Sequence, residues 1–285
     1  MQIGETIIYP KINPASCTNC GLCIRDCVSN AIDEDTKEID CDRCSLCSHC
    51  LSICPVGAVS IDNIKPEPLK KIPEDITDIY KALVLKRRSV RIYKDAPISE
   101  EIINKIIDLI RYAPTGTNSQ KVYITVINSK DKIKYFSDMV MKFFTTLSGL
   151  LNPVFLPFVK LFLGTAKTKV IYGYKDYINK YWEGKNILTY DAPCLFIFHA
   201  PKNSSTPEQD GVIWATTALY YAETLGIGTC FNGFLVKALN AKYKFKQHLS
   251  IPKNHTVLET FTAGYPVYSY KNRAVREKAK INIIN

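Results

Sequence analysis

Residues 17–27 read CTNCGLCIRDC and residues 44–54 read CSLCSHCLSIC, so Cys17, Cys20, Cys23 and Cys27 recur 27 positions later as Cys44, Cys47, Cys50 and Cys54. Each run is spaced C-x2-C-x2-C-x3-C, Pro55 follows the second, and the likeness runs on into Ala31-Ile32 against Ala58-Val59. Three thiols at two-residue gaps let one tight loop wrap three corners of an iron–sulfur cube, while a fourth, three residues on, faces away toward a second cluster. Zinc sites instead use paired C-x2-C knuckles separated by long spacers. Disulfides call for an oxidising compartment. The first ten residues lack the basic stretch and apolar core of a secretory leader, so a cytoplasmic location is expected.

The two runs resemble the two-cluster bacterial ferredoxins over roughly residues 11–63. The resemblance implies two [4Fe–4S] clusters, one on Cys17, Cys20, Cys23 and Cys54, the other on Cys44, Cys47, Cys50 and Cys27. Val28 departs from the proline usual after the first run. Cys41 opens a second register with Cys44 and Cys47, but that register puts Leu51 where a fourth ligand must stand, so Cys41 is read as a bystander thiol. His49 is read as a surface residue of its loop.

Outward from this framework the composition changes. Only Cys194 and Cys230 lie beyond residue 54. Residues 1–64 hold four Lys+Arg against nine Asp+Glu, whereas residues 65–285 hold 33 against 18. An acidic module fused to a basic one suggests mutual attraction; no nucleic-acid recognition motif accompanies the basic charge. Pro66, Pro68 and Pro73 favour an extended backbone. The division expected is therefore a ferredoxin-like domain over 1–64, a linker over 65–73 and a larger domain over 74–285.

In the larger domain helical and strand-like patterns alternate. Residues 74–87 read as a helix, and Ser99 is a good N-cap for a second helix with Ile102, Ile103, Ile106, Ile107 and Ile110 on one face. Residues 121–127, 194–200 and 256–263 read as strands, and 209–225 as a helix ended by Gly226. The pattern predicts a mixed α/β domain. Residues 143–164, FFTTLSGLLNPVFLPFVKLFLG, are long enough to span a bilayer, but Asn152, Pro153, Pro157 and Lys160 interrupt them. A buried or dimer-contacting excursion that shapes an active-site mouth is expected instead, with no membrane span.

Four further markers occur in order. RRSVR at 87–91, followed by YKDAPI at 93–98, offers guanidinium forks and a hydroxyl suited to a phosphate. APTGTNSQ at 113–120 is a polar loop. LGIGTCFNGF at 225–234 has glycines that allow a flat ligand to approach the backbone. GYP at 264–266 precedes a tail with Lys271, Arg273 and Arg276. No G-x-G-x-x-G follows a strand, so a dinucleotide-binding fold is not indicated.

Together the four markers resemble the nitroreductase family over about residues 80–280. The resemblance implies an α+β sandwich around a mainly antiparallel sheet, an intertwined homodimer, and one FMN at each of two interface sites. By position it implies that Arg87, Arg88, Ser89 and Arg91 contact phosphate and flavin. It implies that Pro114, Thr115, Gly116 and Asn118 reach FMN from the neighbouring subunit, and that Cys230, Asn232 and Gly233 pass the reactive edge of the isoalloxazine. Arg273, with Lys271 or Arg276, would complete the phosphate site. Relatives often carry Trp-Ile-Gly-Gly or Pro-Ile-Glu-Gly where this chain has Cys230 to Gly233. No catalytic triad or carboxylate pair is evident, which suits chemistry carried by the cofactor at flavin N5. The expected activity passes electrons from a low-potential donor such as ferredoxin, through the clusters and FMN, to a nitroaromatic, quinone or activated alkene. An electron carrier or redox sensor without a dedicated substrate is the alternative. Cys194 and His199 are read as core residues, and Cys230 as packing.

Overall fold

The computed structural model describes residues 2–3, 6–62, 64, 67–149 and 175–284. The chain divides into two compact units, Met1–Glu74 and Asp75–Asn285, and residues 67–73 ahead of the division have no regular structure.

In the first unit β1 (Gln2–Ile3) pairs antiparallel with β2 (Thr6–Ile7), and β3 (Pro10–Ile12) with β4 (Val59–Ile61). Two short helices, α1 (Leu22–Arg25) and α2 (His49–Ile53), lie between β3 and β4. The 27-residue repeat is copied in the backbone. Ile12 faces Val59 across one ladder as Ile39 faces Ile32 across another. Asn13 N donates to Ala58 O and Asp40 N to Ala31 O, both at 2.8 Å. Left-handed residues recur at the same offset, Asn19 with Leu46, Gly21 with Ser48, and Asn30 with Gly57. The apolar core is small: Leu51, Val59 and Ile61, with Ile8 and Ile12 against them.

The second unit is built on a four-stranded antiparallel sheet. Its elements in chain order are α3 (Ile76–Lys86), α4 (Glu100–Ile110), β5 (Tyr123–Ile127), α5 (Lys130–Gly149), α6 (residues 175–182), β6 (Cys194–Pro201), α7 (Pro207–Thr224), β7 (Gly228–Phe231), α8 (Gly233–Ala241), α9 (Tyr243–His248) and β8 (His255–Gly264). The strand order is β5-β6-β8-β7. Alternation along β6 sends Leu195 and Ile197 to a core shared with α5, α8 and α9, and Cys194, Phe196 and Phe198 to one shared with α4 and α7. A strand buried on both faces reads as an unbroken apolar run, as at 194–198.

Helix α4 starts where Ser99 Oγ accepts from Ile102 N at 3.3 Å, and it buries Ile103, Ile106 and Ile110. Helix α7 has Pro207 in its first turn and ends at Gly226, whose φ of +75° suits glycine. Helix α3 forms as expected but buries none of its residues. Of the apolar 143–164 stretch, residues up to Gly149 complete α5, with Phe143 and Phe144 packed on the core; residues 150–174 lie outside the described residues. Among the described residues no helix is long and apolar enough to cross a membrane.

Candidate functional site

In the first unit the thiols divide four and four. Cys17, Cys20, Cys23 and Cys54 line one small pocket, and Cys27, Cys44, Cys47 and Cys50 line another. Each cavity thus takes three cysteines from one run and the last cysteine of the other. Cys41 lines neither; it is exposed, as a bystander would be. His49 is also exposed, with Nδ1 3.0 Å from Asp26 Oδ2. Backbone amides are aimed at the crossing thiols: Ala31 N donates to Cys27 Sγ at 3.3 Å and Ala58 N to Cys54 Sγ at 3.2 Å. Burial pushes the Cys50 thiol up to about 11, and burial with neighbouring sulfur raises Cys23 and Cys44. Cys54 is partly buried, yet the amides of Ala58, Val56, Val59 and Gly57 bring it below the ordinary thiol value. Among the described residues no three such side chains converge on the volume of a single metal ion.

In the second unit RRSVR leaves α3 as an extended segment laid beside β7. Ser89 bridges Thr229 in parallel, and Val90 N donates to Thr229 O at 2.9 Å. An extended backbone turns alternate side chains to opposite sides. Arg87, Ser89 and Arg91 therefore gather at Cys230, whose thiol meets the Ser89 hydroxyl and the Arg91 guanidinium. Burial raises that thiol against the pull of the arginines. Arg88 turns the other way and is held by the carbonyls of Leu85 (2.9 Å), Arg87 (2.6 Å) and Asn272 (3.1 Å). Its fork is spent on the protein, and the bond to Asn272 brings the tail bearing Arg273 alongside. Arg276 lies further out on that exposed tail and donates to Val275 O.

Tyr93 fixes the segment from below, donating to Val90 O at 2.6 Å with its hydroxyl 2.9 Å from Thr262 Oγ1. Gly228 is required there, because a Cβ would stand 2.5 Å from Val90 Cγ2. Asn232 is buried and caps α8, accepting from Leu235 N at 3.1 Å and donating to Leu188 O. The side chain expected at a flavin edge is thus committed to the fold, leaving the backbone of 230–233 and the open space beside Gly233, where a Cβ would meet nothing within 4 Å.

The loop 113–120 is latched to the start of α7 by a residue the sequence reading missed. Asp210, 2% exposed, accepts from Gly116 N (2.8 Å), Thr206 Oγ1 (2.9 Å) and Ser119 Oγ (3.4 Å). Thr115 Oγ1 accepts from Gln120 N at 3.0 Å, and Thr117, Asn118 and Gln120 are all left-handed. Pro114, Thr115, Gly116 and Asn118 are thereby held on one preformed turn. Two acids, Glu208 and Asp210, stand in the first turn of α7, and nothing in the sequence tells the buried one from the exposed one. Tyr190 was missed too; the Arg91 guanidinium carbon lies 5.7 Å from its ring centroid.

His199 is a buried core residue. Its Nδ1 lies 2.8 Å from His255 Nδ1 and its Nε2 3.1 Å from Thr125 Oγ1. Burial holds His199 down at about 4 and His255 below its ordinary value. Cys194 is fully buried, and burial raises its thiol to about 12.

A family model described as the nitroreductase family matches residues 84–265. A 4-nitrobenzoate reductase from Pseudomonas putida is 40% identical over 57 residues, which is 20% of this chain and 25% of that protein. An FMN reductase [NAD(P)H] from Bacillus subtilis is 30% identical over 64 residues, 22% of this chain and 25% of that protein. These two matches thus span a quarter of each relative. Among solved structures, a nitroreductase with bound FMN from Bacteroides fragilis aligns with a TM-score of 0.54 at 19% identity, covering 75% of this chain and 100% of that one.

Proposed function

The chain belongs to the nitroreductase family, and from that premise we propose that it is an FMN-dependent oxidoreductase. In this reading its N-terminal unit holds two [4Fe–4S] clusters, takes electrons from a low-potential donor such as ferredoxin, and serves a nitroaromatic, quinone or activated-alkene acceptor. The observation that carries the electron-supply half is the crossed division of eight cysteines between two cavities. Among the described residues the buried apolar side chains of this unit are Ala31, Ile32, Leu51, Ala58, Val59 and Ile61, a small core that suits a fold completed by metal.

When bound, the clusters supply one-electron exchange and FMN supplies storage of an electron pair at N5. The protein's own residues bind, orient and tune. The Ala31 and Ala58 amides point partial positive charge at the sulfurs of Cys27 and Cys54, which favours the thiolate a ligand must be. Arg87 and Ser89, joined by Arg273 and Arg276 from the tail, provide forks and a hydroxyl for a phosphate. Arg88 orders the tail beside them. Arg91 places a positive charge by Cys230 that favours negative charge on whatever lies against 230–233. Pro114, Thr115, Gly116 and Asn118 are presented on their latched turn to a second copy of the chain. The homodimer is supported by apolar residues left on the surface of one copy: Ile76, Ile79, Tyr80 and Val84 on α3, and Val275, Ile281, Ile283 and Ile284 on the tail.

Anaerobically purified protein should contain about eight irons and one FMN per chain, as two four-iron clusters require. Replacing Cys20 and Cys47 with serine should abolish ferredoxin-driven reduction of acceptors, while chemically reduced protein still reoxidises with a nitroaromatic or quinone. Equal loss of both activities would sink the relay, and iron without flavin would sink the assignment of 87–91 and 230–233.

A further inference from the structure

Arg91 is a long, exposed side chain, and such a chain serves as a fixed charge only if something restrains its many rotamers. Its guanidinium carbon lies over the Tyr190 ring, 5.7 Å from the centroid, and no salt bridge to a carboxylate is formed by Arg91 among the described residues.

Tyr190 sits in a loop built with unusual care. Tyr190 and Asp191 are both left-handed, with φ of +54° and +49°. Such a residue is strained and persists only where its surroundings enforce it. Asn186 does the enforcing. Its Nδ2 donates to Thr189 Oγ1 at 3.0 Å and Asp191 Oδ1 at 2.8 Å, and its Oδ1 accepts from the amides of Leu188 (3.2 Å) and Thr189 (3.0 Å). Tyr190 N donates to Asn186 O at 3.0 Å, and buried Thr189 is bonded to Ser137 on α5 at 3.0 Å. Leu188 O accepts from Asn232, so the loop is fastened to the 230–233 segment as well. A loop needed only to join α6 to β6 has no use for two consecutive strained residues that end in a tyrosine against an arginine.

We propose that Tyr190 is a positioning residue that fixes the Arg91 guanidinium in the orientation in which it binds and tunes FMN. The proposal rests on the reading of Arg91 as a flavin contact. An arginine stacked on an aromatic face gains about 1 kcal/mol at a partly exposed site. The loop turns that gain into a fixed charge at the mouth of the 230–233 segment, where a free arginine would spread its charge into solvent.

The test uses the full holoprotein under anaerobic conditions. The FMN dissociation constant and the flavin midpoint potential are measured for the parent, R91A, Y190F, Y190A and the R91A/Y190A double variant. R91A should weaken FMN binding and lower the potential. Y190A should reproduce part of both changes, weakening FMN about fivefold, and should add nothing in the R91A background. Y190F keeps the ring and the loop's packing, so it should fall between parent and Y190A; it carries the comparison if the alanine variant does not fold. A Tyr190 effect of full size in the R91A background, or none beside a clear R91A effect, overturns the positioning role and leaves Arg91 in place. If R91A itself moves neither quantity, the flavin reading of Arg91 falls and Tyr190's role with it.

Discussion

His199 and His255 meet ring to ring, their Nδ1 atoms 2.8 Å apart. Tyr123 and Thr125 face them from β5, and Lys246 reaches in from α9 to the His255 carbonyl at 2.8 Å. Burial disfavours the charged imidazole, so His199 titrates at about 4 in the fold against 6.5 ordinarily, and His255 is shifted the same way. Between these values the unfolded chain binds more protons than the folded one, so stability falls as pH drops from 6.5 toward 4. Both tryptophans, Trp182 and Trp214, lie in the second unit. Thermal melts followed by their fluorescence should show that decline in the parent and a flatter profile in H199N; parallel profiles would remove the histidine pair as the cause. Single residues were the least legible scale. The core character of His199 could be read from the apolar strand around it. The capping by Asn232 could not, because an asparagine beside a glycine looks the same whether it faces a ligand or a helix end. Nothing in a lone tyrosine at 190 announces a left-handed backbone, and Arg88 differs from its neighbours only through the two-residue alternation of an extended chain.

Elements were read more faithfully, because they answer to periodicity. Ser99 and the isoleucines of α4, the apolar run of β6 and the glycine after α7 each carried their structure in a few residues. What periodicity leaves out is which elements touch. The segment 87–91 works only while it lies against β7, and that contact depends on the missing side chain of Gly228. In G228A the new Cβ would press on all three carbons of the Val90 side chain, at 2.5–2.9 Å. Overpacking of this kind costs about 1–3 kcal/mol, and adding V90A, which removes two of those carbons but keeps Cβ at 2.8 Å, should return part of it. A G228A protein as stable as the parent in denaturant melts would mean that the segment yields freely. Helix α3 carries the opposite lesson. Its pattern predicted a helix correctly, but the same pattern could not say that its apolar side chains would lie uncovered in a single copy.

At the scale of the molecule, cysteine and charge content change along the chain across a stretch holding three prolines, and the chain divides into two compact units after Glu74. Residues 67–73 carry Lys70 and Lys71 in an exposed stretch without regular structure. Brief trypsin treatment of the native protein should therefore cut there first, giving an N-terminal fragment and a larger remainder separable by mass, with any iron on the first if the proposed clusters are present; early cuts elsewhere would show the linker to be protected. The fold of the larger unit was legible mainly through the order of four motifs, since its strands are too far apart in sequence for their pairing to be read directly. The four-and-four division of thiols has one more implication. A single 27-residue repeat holds only three walls of its own cavity, the fourth being lent by its twin. Set free, one repeat could complete a site only by borrowing a cysteine from another copy, and that copy would need one in return. The unit is therefore equivalent to a domain-swapped dimer whose two protomers have been joined into one chain.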